Sequence, residues 1–193
     1  MSISPLDLPK VRLEPLRPDD RARFVRDNQD AFNYGAPVEF GRRDDHFEEE
    51  GEIISRETVE KAIDGGEALR ITLDGANVGG AVVRIDGERG ELELLFVDPK
   101  SHSKGIGQAA WLAIEKRYPQ VRLWTTHTPY FERRNIHFYV NRLGFHIVEF
   151  YNERWPDPND PKPDEPEDGV FRFEKRIEAP TSDRLIERSA SRA

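Results

Sequence analysis

The sequence predicts an α+β fold, in which mixed α and β segments build a mostly antiparallel central sheet of about seven strands flanked by about four helices. Three observations carry that expectation. The runs 68–73, 77–85 and 90–97 are strand-like and separated by the turn signals "DGAN" and "DGERG", which reads as an antiparallel meander. The stretch "VDPKSHSKGIGQAAWLAIEKRYP", 97–119, sets two glycines at the start of an amphipathic helix directly after an apolar strand. Strand and helix periodicities then alternate to residue 177, with no internal repeat.

In chain order, "KVRLEPL" at 10–16 alternates like a first strand. In "RPDDRARFVRDNQDAF", Pro18, Asp19 and Asp20 occupy a first helical turn, where a missing donor and negative charge are tolerated. The following "NYGAPVEFGRRDDHFEEEGE" reads as irregular and charged. "SRETVEKAIDGG", 55–66, is a short helix with Ser55 as its N-cap and Gly65 as its stop. After the meander come the glycine-led helix, about 105–117, and an apolar strand "VRLWTT" from 121. A helix "FERRNIHFYVNRL" stopped by Gly144 and a strand "FHIVEFY" follow. The run 152–169 holds five prolines and is strongly acidic, which suits a long loop. "VFRFEKRI", 170–177, returns as a final strand, which could pair across a homodimer if exposed.

The 193 residues suit one domain, expected over 1–178 with a polar tail at 179–193. The chain is 36% hydrophobic and 34% charged, and no apolar run approaches the roughly 20 residues of a membrane span. Its start lacks a basic region followed by an apolar one, and there is no cysteine, so a cytoplasmic setting is expected. A net charge of −8 argues against nucleic acid and anionic lipid and permits cationic partners.

The glycine-led helix is the first candidate site. A helix N-terminus presents unpaired N–H groups and the positive end of a dipole, and Gly105 and Gly107 carry no side chain to hold an anion off the backbone. Lys104 adds charge. The segment suits a pyrophosphate cradle, or glycines that only turn the chain into a helix. No Gly-Lys-Ser/Thr follows as in a Walker A loop, and the third glycine of a Rossmann fingerprint is replaced by Ala110.

The succession "ELELLFVDP", "HSKGIGQAA" and "FYVNRLGF", in that order and spacing, resembles the GNAT superfamily of acyl-CoA-dependent N-acetyltransferases. The resemblance is specific over about 90–147 and looser over 11–85. It implies a sheet split into a V between the fourth and fifth strands, with pantetheine in the split and the CoA pyrophosphate on the loop before the third helix. Acetyl-CoA is the implied co-substrate, and His102, Lys104, Gly105, Ile106, Gly107, Gln108 and Ala109 are the implied contacts. A backbone N–H around Phe96 or Val97 is the implied oxyanion donor. Two positions depart from the family pattern. His102 stands where Arg or Gln leads the glycine motif, and Glu132 stands where an Asn precedes the tyrosine by seven residues. Asn135 nearby is either a substitute CoA contact or a helix-face residue.

An amine attacks a thioester only when neutral, and a lysine-like amine has a pKa near ~10.4, so a base or a desolvating site must remove its proton. A period of two in "GELELLFV" puts Leu92, Leu94 and Phe96 on one face and Glu91, Glu93, Leu95 and Val97 on the other. The resemblance implies Glu91 as base, directly or through water; Glu93 is the alternative, and a wet strand face is the plain reading of either. Tyr139 stands where the family commonly has a tyrosine acid for the departing thiolate, while Phe138 reads as a core aromatic. With no cysteine to hold the acetyl group, direct transfer is expected over a ping-pong route.

The five histidines, 46, 102, 127, 137 and 146, show no paired metal-ligand spacing, so no metal is expected. His127 reads as a loop residue after the fifth strand, lining the acceptor side or hydrogen-bonded in the loop. Ser101 and Ser103 lack a nucleophile elbow. Trp124 and Trp155 are packing residues or acceptor-site walls. The acidic stretches at 44–52 and 157–168 would attract a cationic acceptor, or are solvated charge on loops. The expected activity is acetyl transfer to a primary amine of a small molecule or peptide. The alternative is a non-catalytic acyl-CoA sensor or interaction module on the same fold.

Overall fold

A computed structural model describes residues 8–40, 48–101, 104–158 and 169–178. The elements are β1 (Arg12–Pro15), a 3-10 turn (Pro18–Asp20), α1 (Arg21–Phe40), α2 (Arg56–Gly65), β2 (Glu67–Leu73), β3 (Ala76–Asp86) and β4 (Arg89–Val97). A second 3-10 turn (Pro99–Ser101) leads to α3 (Ile106–Arg117), then β5 (Leu123–Pro129), α4 (Arg133–His137), β6 (His146–Tyr151) and β7 (Val170–Arg176). The seven strands form one sheet in the order β1-β2-β3-β4-β5-β7-β6. Every neighbouring pair is antiparallel except β4 and β5, which are parallel.

Local chemistry explains most element ends. The Ser55 hydroxyl accepts the Thr58 N–H at 3.1 Å, capping α2. The turns β2–β3 and β3–β4 place Gly75 and Gly87 at φ 82° and 56°, the left-handed region that glycine enters without strain. α4 continues as a π-helical turn over Phe138–Leu143 and ends at Gly144, φ 78°.

Four elements depart from the sequence expectations. α1 does not stop near Phe32 but runs to Phe40, carrying Gly35 and Pro37 in its last turns, where helical bonding continues past the one donor that proline lacks. β5 reaches Pro129, so His127 is a strand residue rather than a loop residue. β7, the final strand, is interior, lying between β5 and β6; the sheet's edges are β1 and β6, and on β6 Ile147, Val148 and Phe150 are exposed. The dimer expectation tied to an exposed final strand therefore loses its edge.

The fourth departure is in β4. Val82 pairs with Leu94 and Val83 with Leu92, so Glu93 is an extra residue, a β-bulge. The bulge breaks the period of two. Leu92 packs with Trp111 and Trp124 on one side of the sheet, whereas Leu94 and Phe96 pack with Phe24, Val25 and Val59 on the other. Leu95 and Val97 turn to Ile106 and Ala110 of α3. The expected grouping of Leu92 with Leu94 and Phe96 is thus wrong, and so is that of the glutamates with Leu95 and Val97.

Helices α1 and α2 cover the Leu94 face and α3 with α4 the Leu92 face. Arg70, 3% exposed, ties β2 to the 3-10 turn through Asp20 at 2.6 Å and to α1 through Asp27 at 2.8 Å. Among the described residues no helix is long and apolar enough to cross a membrane. Residues 44–47, 159–168 and 179–193, which include most of the two acidic stretches and the tail, lie outside the described residues.

Candidate active site

The site begins where two ladders compete for β4 and β5. β4 pairs with β5 only at Arg89, Gly90 and Glu91, opposite Leu123, Trp124 and Thr125. β4 then stays with β3 to Val97, while β5 follows β7 in an unbroken ladder to Pro129. The strands diverge, giving the V between the fourth and fifth strands. At Gly90 the strands approach so closely that a Cβ would lie 2.6 Å from the Trp124 ring, so only glycine fits there. At the apex the Thr126 hydroxyl donates to the Leu92 carbonyl at 2.9 Å, replacing the next ladder bond with a side-chain one.

On one face of the split stand Glu91, Glu93 and His127. Arg84, opposite Glu91 on β3, pairs with Glu93 and lies 3.4 Å from Glu91. Glu91 Oε1 is 3.4 Å from His127 Nδ1. The two carboxylates are pushed apart in pKa. The hydrogen bond from His127 holds Glu91 below the usual carboxylate value, whereas burial, reinforced by the Glu91 charge, raises Glu93. Further along the face the Tyr151 hydroxyl donates to Glu149 at 2.6 Å, and Arg172 joins Glu149 to Glu174.

Tyr139 stands on the opposite face. It is 8% exposed, lies among the rings of Phe145 and Phe173, and has Thr126 of the apex as its polar neighbour. Burial pushes its pKa up to about 12, so its hydroxyl keeps a proton to give. Phe138 packs beside it against α3, and a Cβ on Gly107 would lie 3.0 Å from the Phe138 ring. Gly107 is therefore fixed by helix packing.

The candidate anion cradle is the N-terminus of α3. Gly105 caps the helix at φ 72°, a left-handed conformation that carries the chain from the 3-10 turn into α3. Lys104 is exposed beside it. The side chains of Ile106 and Ala109 are buried, leaving only their backbone to meet a ligand, and Gln108 donates to the Arg142 carbonyl at 3.4 Å. The Asp98 N–H bonds the Val78 carbonyl, so strand alternation turns the Phe96 N–H to β3 and that of Val97 toward the split. His102 lies outside the described residues, as does Ser103. Asn135 donates to Glu132 at 3.3 Å, so the second departure from the family pattern is engaged with its own neighbour. Trp124 is fully buried packing, while Trp155 is 67% exposed. Among the described residues no three histidine or carboxylate side chains group as a metal site would.

Sequence reasoning missed Arg84 and Thr126 at this apex and gave His127 as a loop residue lining the acceptor side or hydrogen-bonded in the loop. Their proximity depends on strand register and on β5 reaching Pro129, and no local motif marks it.

A sequence profile of the acetyltransferase (GNAT) family matches residues 24–145, well over half of the chain. The chain belongs to the GNAT acetyltransferase family. This acetyltransferase is 45% identical over 178 residues to "Uncharacterized protein YrkN" of Bacillus subtilis (strain 168), covering 86% of this chain and 94% of that one. Solved structures share the fold at low identity. The ribosomal-protein-S18-alanine N-acetyltransferase of Escherichia coli aligns with TM-score 0.59 and 15% identity, over 90% of this chain and 97% of that one. The PaiA N-acetyltransferase of Thermoplasma acidophilum, in complex with coenzyme A, aligns with TM-score 0.59 and 16% identity, over 86% and 99%. A GNAT family acetyltransferase from Elizabethkingia anophelis with acetyl-CoA bound aligns with TM-score 0.57 and 13% identity, over 87% and 99%.

Three of the acetyltransferase's five tyrosines are buried and raised to about 12: Tyr118, Tyr139 and Tyr151, each chiefly by burial. A group whose folded pKa lies above its unfolded value stabilises the fold fully below the unfolded pKa. That contribution is lost as pH rises through the folded pKa. The urea midpoint is therefore expected to fall between pH 10 and 12, together with the rise of tyrosinate absorbance. A midpoint flat across that window contradicts the burial assigned to these hydroxyls.

Proposed function

We propose that this acyltransferase moves an acetyl group from acetyl-CoA directly to a primary amine, with residues 1–178 as the catalytic domain. One observation carries the proposal: the β4–β5 split has a pair of unequal carboxylates, Glu91 and Glu93, on one face and a buried, protonated Tyr139 on the other. Two titratable environments pushed in opposite directions are how one site runs base and acid chemistry at one pH.

The fit to the co-substrate rests on features of this chain. The split is wide enough past Glu91 to have no strand-to-strand ladder, and α3 begins in a left-handed glycine with Lys104 beside it. Acetyl-CoA would supply an activated thioester and a thiolate leaving group. Lys104 and the first backbone N–H groups of α3, from Ile106, Gly107 and Gln108, bind the pyrophosphate. A backbone N–H at the end of β4, around Phe96 or Val97, serves the developing oxyanion. Glu91 and Glu93 stand where the ammonium proton must leave, and Tyr139 holds the proton that the thiolate takes. A cationic amine is favoured because the four carboxylates Glu91, Glu93, Glu149 and Glu174 on the acceptor face outnumber the three arginines paired with them, Arg84, Arg172 and Arg176.

Calorimetric titration with acetyl-CoA, with desulfo-CoA as control, tests the first half. Binding on the order of −8 kcal/mol, micromolar, is expected for both ligands. Thiol release from acetyl-CoA that depends on an added primary amine tests the second half. No binding at millimolar acetyl-CoA would sink the proposal, and binding without amine-dependent thiol release would leave a sensor rather than an enzyme.

A further inference from the structure

We infer that His127, oriented by Glu91, is the group that takes the proton from the acceptor amine; the assignment rests on the amine acetyltransferase reading above. Glu91 pairs with Thr125, and His127 is two residues further along β5 on the same face. It therefore stands on one wall of the split, while Glu93 stands on the other. Glu91 Oε1 reaches His127 Nδ1 at 3.4 Å, a contact of the long kind that tightens when a substrate closes the site. The other ring nitrogen, Nε2, is buried and has no hydrogen-bond partner. A buried polar atom without a partner destabilises the fold unless an arriving group satisfies it. With the carboxylate on Nδ1, the neutral ring carries its proton there and presents a lone pair at Nε2.

The surroundings suit that division of labour. Glu91 is held low by its histidine, so it remains charged and accepts no proton readily; it positions the ring and stabilises the imidazolium. The Tyr151 ring stacks on His127 with centroids 6.5 Å apart and planes 26° apart, which fixes the imidazole plane. The charged and titratable groups on its face are Glu91 and Glu93 from β4, Arg84 from β3, Glu149 and Tyr151 from β6, and Arg172 with its partner Glu174 from β7.

The step balances. Nε2 takes one proton from R–NH3+ and passes it to solvent, and the freed lone pair forms the C–N bond. As the C–S bond breaks, its electron pair leaves on sulfur and takes the Tyr139 proton. Nε2 takes a second proton from nitrogen and returns it to solvent, which reprotonates Tyr139. One proton is released per amide formed.

The test measures thiol release from acetyl-CoA with spermidine and with a lysine-containing peptide, across pH, for the full chain and for His127→Gln and Glu91→Gln. His127→Gln is expected to lower kcat/KM by about 10²-fold or more and abolish the acidic limb of the pH profile, with acetyl-CoA affinity unchanged. Glu91→Gln is expected to lower kcat/KM less and to move that limb to lower pH. A His127→Gln protein within about threefold of the parent, with its acidic limb intact, overturns the inference while leaving acetyl transfer standing. If His127→Gln does not fold, an unmoved limb in Glu91→Gln overturns it instead. Absence of thiol release from the unsubstituted chain with both acceptors sinks the transfer reading, and the role of His127 falls with it.

Discussion

Tyr139→Phe is expected to lower kcat by about 10²-fold or more while leaving acetyl-CoA affinity nearly unchanged. The substitution keeps the ring, which fills space between Phe145 and Phe173, and removes only a hydroxyl whose polar neighbour is Thr126 at the apex of the split. With at most one hydrogen bond removed and the ring packing kept, stability should fall by no more than about 1 kcal/mol. Because the hydroxyl is raised to about 12, the lost function is proton donation, and a thiolate unassisted by an acid leaves more slowly. Steady-state kinetics, calorimetry with acetyl-CoA and a urea melt separate these effects. Unchanged kcat with weakened binding or a large stability loss would reduce Tyr139 to a core aromatic.

The largest stability effect is expected at Trp111→Ala, about 3–5 kcal/mol for truncating a buried large aromatic. Trp111 is fully buried on α3 and meets Trp124 edge-on at 5.1 Å and Phe145 at 5.0 Å, with the Lys175 amine 5.5 Å from its ring. These contacts join α3 to β5, β7 and the chain after α4. In a domain of this size the loss corresponds to roughly 6–20 °C in Tm. Thermal and urea unfolding followed by circular dichroism test it, and a loss below about 1 kcal/mol would mean that the α3 side of the core collapses around the void. The same variant should weaken acetyl-CoA binding, since α3 carries Gly105 and the helix N-terminus to the mouth of the split.

Much of the scaffold is legible from local chemistry. The meander was readable because "DGAN" and "DGERG" supply turns between alternating runs, and Ser55 was readable as a cap because its hydroxyl precedes a helical pattern. Gly105 and Gly107 were read together as an anion cradle, and the structure separates them. Gly105 is required by a positive φ, Gly107 by the approach of Phe138. α1 outran its expected end because Gly35 and Pro37 are breakers only by propensity, which helical context overrides.

The alternation of "GELELLFV" was misread because one extra residue in β4 is invisible to periodicity. Nothing in eight residues says that Glu93 has no partner on β3, yet that bulge sends Leu94 and Phe96 to the face opposite Leu92. His127 was misplaced for a related reason. Its strand continues only because β7, reached from far along the chain, pairs with it to Pro129.

The sequence by itself determined the element order, the glycine-led third helix and the family resemblance, and it singled out Glu91, Glu93 and Tyr139 as candidates. Those depend on side-chain types at short spacings, which turn and helix chemistry read locally. Only the tertiary structure decided that β7 inserts between β5 and β6, that β4 and β5 part after Glu91, and that the split brings Glu91 to His127 on one face and Tyr139 to Thr126 on the other. The physical reason is competition between ladders: β3 and β7 hold β4 and β5 along their full lengths, and the gap left between them is a property of the whole sheet.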